Sequence, residues 1–110
     1  MVNVPVPSGS VVPVFTVPAR SIGYVKRFRV ESLGTVTATV VLLDTYTRFW
    51  TDPATKAGTS ESTTGTVLSL FVGAGSVVDY KDMENVKVYG TVSVSSLGAD
   101  VAIFLDYDLE

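Results

Sequence analysis

Alternation of apolar with polar residues constrains this chain more than any other feature of its sequence. From position 86 to 95, and again from 101 to 109, apolar residues stand at nearly every second position. A period of two is the pattern of a β-strand that buries one face. Turn signals such as Gly34, Gly75 and Gly98 separate the strand-like segments, on average about every ten residues. The sequence therefore predicts an all-β fold, an antiparallel β-sandwich or jelly roll of about 7–9 strands.

The segment from position 22 to 31 is one of these predicted strands, and its alternation suggests which side chains point inward. Tyr24, Phe28 and Val30 fall on one face, and we expect this face to pack into the core. Phe28 should then be buried, and its truncation should destabilise the fold strongly.

Three basic residues, Lys26, Arg27 and Arg29, lie close together on the same predicted strand. One interpretation is a binding surface for phosphate or carboxylate groups. The interpretation we favour is a cross-strand ladder, in which these cations pair with Glu31 and with acidic residues on neighbouring strands.

The chain has 110 residues, the length of one domain, but its first part differs in composition from the rest. Prolines punctuate a run of valines, which predicts an extended N-terminal arm (1–15) ahead of a single β-sandwich domain (16–110). The arm could pack on its own sandwich, or it could complete a neighbouring subunit's sheet by strand addition. Under the second arrangement, which predicts a homo-oligomer, the interface residues are Val2, Val4, Val6, Val11, Val12 and Val14.

Histidine and cysteine are both absent from the sequence. The chain therefore lacks the residues for a Ser-His-Asp or Cys-His triad, an imidazole base, or thiolate and imidazole metal ligands. We expect a non-enzymatic protein without a cofactor. The net charge of −3 argues against nucleic acid as a partner. The sequence contains no run of about 18 apolar residues, so it predicts no membrane-spanning helix. The N-terminus does not have the pattern of a signal peptide.

Acidic residues cluster at two places. Asp79, Asp82 and Glu84 could ligate calcium through their oxygens, but the segment lacks the alternating Asp/Asn pattern and the glycine of a dedicated calcium loop. We therefore favour a solvated turn. Asp106 and Asp108 share one face of the last predicted strand. Paired carboxylates can hydrolyse glycosides, but protection of a sheet edge by charge is the simpler explanation.

Phe49 and Trp50 precede a long polar segment, residues 51–66, which we predict to be a loop. Long loops in small domains are often functional. The two aromatic residues could form a platform that stacks on a ligand such as a sugar ring, or they could cap one end of the core.

Two segments resemble a pattern found in small β-sandwich proteins of tailed phages and other prokaryotic viruses. These segments read TVPAR at 16–20 and YVKRFRV at 24–30, and the turn at 73–76 and the final strand from Asp100 follow where that pattern has them. The chain departs from it at Arg20, where glycine is frequent. The resemblance implies a virion component, of the capsid decoration (cement) type or a tail accessory, and it implies no catalytic residues.

We therefore expect a structural protein of a virus particle, assembled in the host cytoplasm. It would act by binding copies of itself and a capsid or tail protein. The low content of charged residues and the valine-rich arm agree with this expectation. The alternative is a carbohydrate- or receptor-binding β-sandwich module that uses Trp50 and the segment 51–66.

Overall fold

A computed structural model describes residues 2–80 and 86–110, and within them the chain forms strands joined by turns. The prediction of an all-β fold is confirmed, since no helix occurs in the described residues. The strands are β1 (Val2–Val6), β2 (Val11–Thr16), β3 (Gly23–Ser32), β4 (Ala38–Thr51), β5 (Gly58–Val72), β6 (Val77–Tyr80), β7 (Lys87–Val88), β8 (Thr91–Leu97) and β9 (Val101–Leu109).

The strands form two antiparallel sheets. The first sheet has the order β1-β9-β3-β6, with β7 also paired to β3, and the second has the order β2-β8-β4-β5. β6 pairs with residues 28–31 of β3 and β7 pairs with residues 23–24, so the two short strands follow one another along the same edge. When β6 and β7 are counted as a single edge strand, the order of strands is that of a jelly roll.

Apolar side chains from both sheets meet in one core. Phe28 is fully buried, as predicted, together with Leu42, Ile103 and Leu105. The expected inward direction of Tyr24 is wrong, because a bulge between Val25 and Arg27 shifts the alternation by one residue. Val25 is consequently the fully buried residue at that end of β3.

Residues 2–15 form part of the sandwich in this structure, which is the arrangement in which the predicted arm (1–15) packs on its own domain (16–110). β1 pairs with β9 in the first sheet and β2 pairs with β8 in the second, all within one chain. Both strands lie at sheet edges, and Pro13 adjoins a register shift, which are the places where a sheet tolerates proline.

The six valines of the expected interface differ in burial. Val6 is fully buried, and Val4, Val12 and Val14 pack partly buried against the core. Val2 is also partly buried, and Val11 alone is largely exposed, at 59%. In this structure, therefore, five of these six side chains are at least partly buried within their own domain.

The segment 51–66 is mostly strand, which corrects the prediction of a long loop. β4 and β5 pair continuously as a hairpin from Ala38↔Val72 to Thr51↔Gly58. Asp52 closes the connecting turn, since its carboxylate accepts a hydrogen bond from the Ala54 amide at 2.8 Å. The many threonines of this segment are polar, but they are also β-branched and favour strands.

Candidate functional site

The far half of the β4–β5 hairpin extends beyond the sandwich, and we call residues 46–63 the ribbon. β4 pairs with β8 only as far as Thr45, so beyond this point β4 and β5 have no further strand beside them among the described residues. The ribbon contributes to an elongated shape, with extents of 54 × 27 × 18 Å. Its residues are mostly exposed on both faces.

One face of the ribbon carries Tyr46, Arg48 and Trp50. The Arg48 guanidinium lies 5.7 Å from the centroid of the Trp50 ring, which is the geometry of a cation–π contact. Arg48 Nε also lies 3.9 Å from Glu61 Oε1 on the opposite strand. Both charged side chains are more than half exposed, so this ion pair contributes little to stability. Arg48 thus contacts Glu61 across the ribbon and the Trp50 ring on its own strand.

The opposite face carries Phe49, which is 79% exposed. Phe49 and Trp50 are neighbours on a regular strand, so their side chains point to opposite faces. The two rings therefore do not form a single stacking platform, although both border a shallow hollow at the end of the ribbon. Trp50 therefore shares one face of the ribbon with Tyr46, and Phe49 lies on the other face.

A buried carboxylate holds the ribbon where it leaves the sandwich. Asp44 is only 4% exposed, and it accepts hydrogen bonds from the backbone amides of Tyr89 at 2.8 Å and Gly90 at 2.9 Å. A side chain at Gly90 would collide with the carbonyl oxygen of Thr45, so the two segments approach too closely for any other residue. The Tyr46 ring packs edge to face on the Tyr89 ring, with centroids 6.1 Å apart.

Sequence analysis missed Asp44, although a signal for it was present. Val40, Leu42 and Asp44 occupy successive inward positions of β4, so Asp44 is a charged residue at a core position of an apolar strand. A charge there requires polar partners in the fold. Nothing in the sequence indicates that those partners are two amides of the connection between β7 and β8.

A cleft of about 630 Å³ separates the base of the ribbon from the turn at residues 18–21. Its lining includes Tyr46, Phe49, Tyr89 and Arg20. Arg20 has a φ of 67°, in the left-handed region that favours glycine. The departure from the viral pattern therefore falls at a position where the backbone itself has the glycine-like conformation.

The basic residues of β3 lie on the outer side of the first sheet, where Arg27 takes part in a cross-strand pair. Its Nη2 donates to Asp79 Oδ2 at 2.8 Å, and its Nε donates to Asp79 Oδ1 at 3.2 Å. This hydrogen bonding to the carboxylate raises the pKa of the Arg27 guanidinium. For Arg27 the ladder interpretation therefore holds. The Lys26 ammonium lies 5.4 Å from the Tyr24 ring centroid.

Asp82 and Glu84, two of the three residues weighed as calcium ligands, lie outside the described residues. Asp79, the third, faces Arg27. In the parts of the chain that the structure describes, no three acidic residues are grouped closely enough to hold a metal ion.

Comparison of the chain with protein-family models, characterised proteins and solved structures finds no match. Over residues 2–80 and 86–110 the structure has no helix long and apolar enough to cross a membrane.

Proposed function

We propose that this protein is a structural component of a virus particle, a capsid decoration protein or a tail accessory. It would bind copies of itself and a capsid or tail protein, and it would reside in the virion. The resemblance of residues 16–30 to small virion proteins supports the proposal. The jelly-roll topology agrees with it, because viral capsid domains often use this architecture, although lectin domains use it too.

The ribbon is the observation that carries the proposal. An isolated two-stranded hairpin is marginally stable in water, so a projecting ribbon gains stability when it lies on a second protein. Its strand edges also present unpaired backbone N–H and C=O groups. From residue 58 to 66, β5 has no proline or lysine and its only charge is Glu61, so the usual protections against strand addition are few. A neighbouring strand could pair with this edge.

A second candidate function is recognition of a carbohydrate or a receptor. The exposed Phe49 and Trp50 rings favour it, since aromatic faces exposed on a projecting element can stack on a ligand. Because the rings point to opposite faces, such a ligand would contact one ring at a time, or it would enclose the ribbon.

Replacement of residues 46–63 by the dipeptide Asn-Gly tests the proposal. Thr45 and Thr64 are directly paired, with their hydroxyl oxygens 2.8 Å apart, so a two-residue turn can join them and leave the sandwich intact. The intact chain should co-purify with virus particles from cells that express it. The shortened chain should keep its β-type circular dichroism and lose particle binding.

A matched control replaces Phe49 and Trp50 by threonine within the full-length ribbon. Retention of particle binding by this variant would assign the contact to the ribbon backbone, and its loss would assign the contact to the rings. Absence of the intact chain from purified particles, together with saturable binding to a glycan, would overturn the proposal in favour of the second function.

A further inference from the structure

The outward side of the second sheet carries no charge. Along β4 the outward positions are Thr39, Val41, Leu43, Thr45, Thr47 and Phe49, which alternate with the buried side chains. The residues paired beside them on β5, β8 and β2 are serine, threonine, glycine, proline or apolar. We call this surface the uncharged face; it comprises the odd-numbered residues 39–51 of β4 and the outward residues paired beside them.

The absence of charge is unusual for a surface of this extent. The uncharged face spans about twenty outward positions, where the surface of a soluble domain ordinarily holds about five charged residues. The charged residues lie elsewhere in the described chain. The first sheet carries Arg27, Arg29, Glu31 and Asp106 on its outer side, and Arg48 and Glu61 lie on the other face of the ribbon.

Large apolar side chains stand on the uncharged face. Phe71 is 74% exposed and Leu97 is 68% exposed, and both are paired beside Thr39. Val11 of β2 is paired with Ser95 of β8, two residues before Leu97, and is 59% exposed. Single exposed apolar residues are ordinary, but three of them near one end of a surface without charge favour an interaction site.

We propose that the uncharged face binds the same face of a second copy of this chain. Each copy has a net charge of −3, so two copies repel at most approaches. Two identical charged faces in an isologous contact also bring like charges together, whereas two uncharged faces do not. The small hydroxyl side chains leave both surfaces flat enough for sheets to pack face to face, as in a sandwich.

The area is sufficient for a stable dimer. Four strands about 4.8 Å apart and about seven residues long cover roughly 440 Å², and the same side of the ribbon adds roughly 220 Å². Two copies would together bury roughly 1,300 Å², at the low end of the roughly 1,200–2,000 Å² of a standard interface. The inference rests on the proposed function, of which it specifies the self-association surface.

Charge introduced at Leu97 tests the inference. Leu97→Glu places two like charges within or beside the symmetric contact, and it should weaken dimerisation by at least about tenfold in sedimentation equilibrium. Leu97→Lys should do the same. An equimolar mixture of the two variants should associate more tightly than either variant alone, a result that simple misfolding would not produce.

Val77→Lys is the matched control for Leu97→Lys. Val77 is 45% exposed but lies on β6, where it pairs with Glu31 of the first sheet, so this variant should dimerise as the wild type does. Dimerisation of either Leu97 variant with unchanged affinity would overturn the inference, and so would equal weakening by Val77→Lys. A wild-type chain that stays monomeric at about 0.5 mM would overturn it too.

The dimer and the virion role can be refuted independently of one another. A monomeric chain that still binds particles through the ribbon would refute the dimer alone. A dimer that forms through the uncharged face but never occurs in particles would refute the virion role alone.

Discussion

Asp44→Asn tests the account of how the ribbon joins the sandwich. The side chain is buried, and both carboxylate oxygens accept a hydrogen bond from a backbone amide, at 2.8 and 2.9 Å. Asparagine has nearly the same size, so the substitution leaves the packing unchanged. It changes one acceptor into an NH₂ group, which then faces a second donor instead of an acceptor.

The expected loss of stability follows from these two contacts. A hydrogen bond to a charged group contributes about 1.5–3 kcal/mol, and leaving a buried donor unsatisfied costs about 1–3 kcal/mol. Asparagine keeps one of the two bonds in weakened, neutral form. We therefore expect Asp44→Asn to lower the free energy of unfolding by about 2–4 kcal/mol. In urea this corresponds to a midpoint lower by about 1–3 M for a domain of this size.

Asp100→Asn is the matched control. Asp100 also accepts a backbone amide, that of Ser8 at 2.8 Å, but this contact is exposed to water. Its loss should change the free energy of unfolding by less than about 1 kcal/mol. Hydrogen exchange provides a second measurement, since the amides of Tyr89 and Gly90 should lose protection in Asp44→Asn. Equal stabilities of the two variants would refute the role assigned to Asp44.

Two further substitutions examine the core and the close approach at the base of the ribbon. Phe28→Ala should lower the free energy of unfolding by about 3–5 kcal/mol, because it empties a fully buried aromatic site; a loss below about 1 kcal/mol in urea denaturation would contradict the packing described. Gly90→Ala should destabilise the chain by about 3 kcal/mol or more, since the new methyl group meets the Thr45 carbonyl oxygen. Gly65→Ala is its control, because a methyl group there meets no atom within 4 Å and thermal unfolding should be little changed.

The sequence was most informative where alternation is regular. The predicted bounds 101–109 agree with those of β9, in which alternate residues from Val101 to Leu105 are buried. The bounds 77–80 also agree with those of β6, although this short strand has no fully buried residue. Side-chain direction could not be predicted along all of β3, where the bulge between Val25 and Arg27 reverses the alternation. A bulge adds one residue without any distinctive composition here, so the pattern did not reveal it.

The ribbon could not be predicted for a related reason. Inference from alternation needs one buried face, and the ribbon has none, so its threonines and serines had the composition of a loop. The N-terminal valines posed the opposite problem. Their apolar character predicted burial, but burial against their own sheets and burial against a neighbour have the same sequence pattern.

The charged residues lie mainly on the first sheet, so the two proposed contacts, the uncharged face and the Trp50 side of the ribbon, can form at the same time. If two copies pack through the uncharged face, their first sheets point outward and keep Arg29, Glu31 and Asp106 in water. Such a dimer remains soluble, because its outer surface holds most of the charge. The Trp50 side of each ribbon also faces away from the contact, since it is opposite Phe49. Dimerisation would therefore leave Trp50 and Arg48 accessible, so that a paired protein could still bind a capsid or tail subunit through its ribbons.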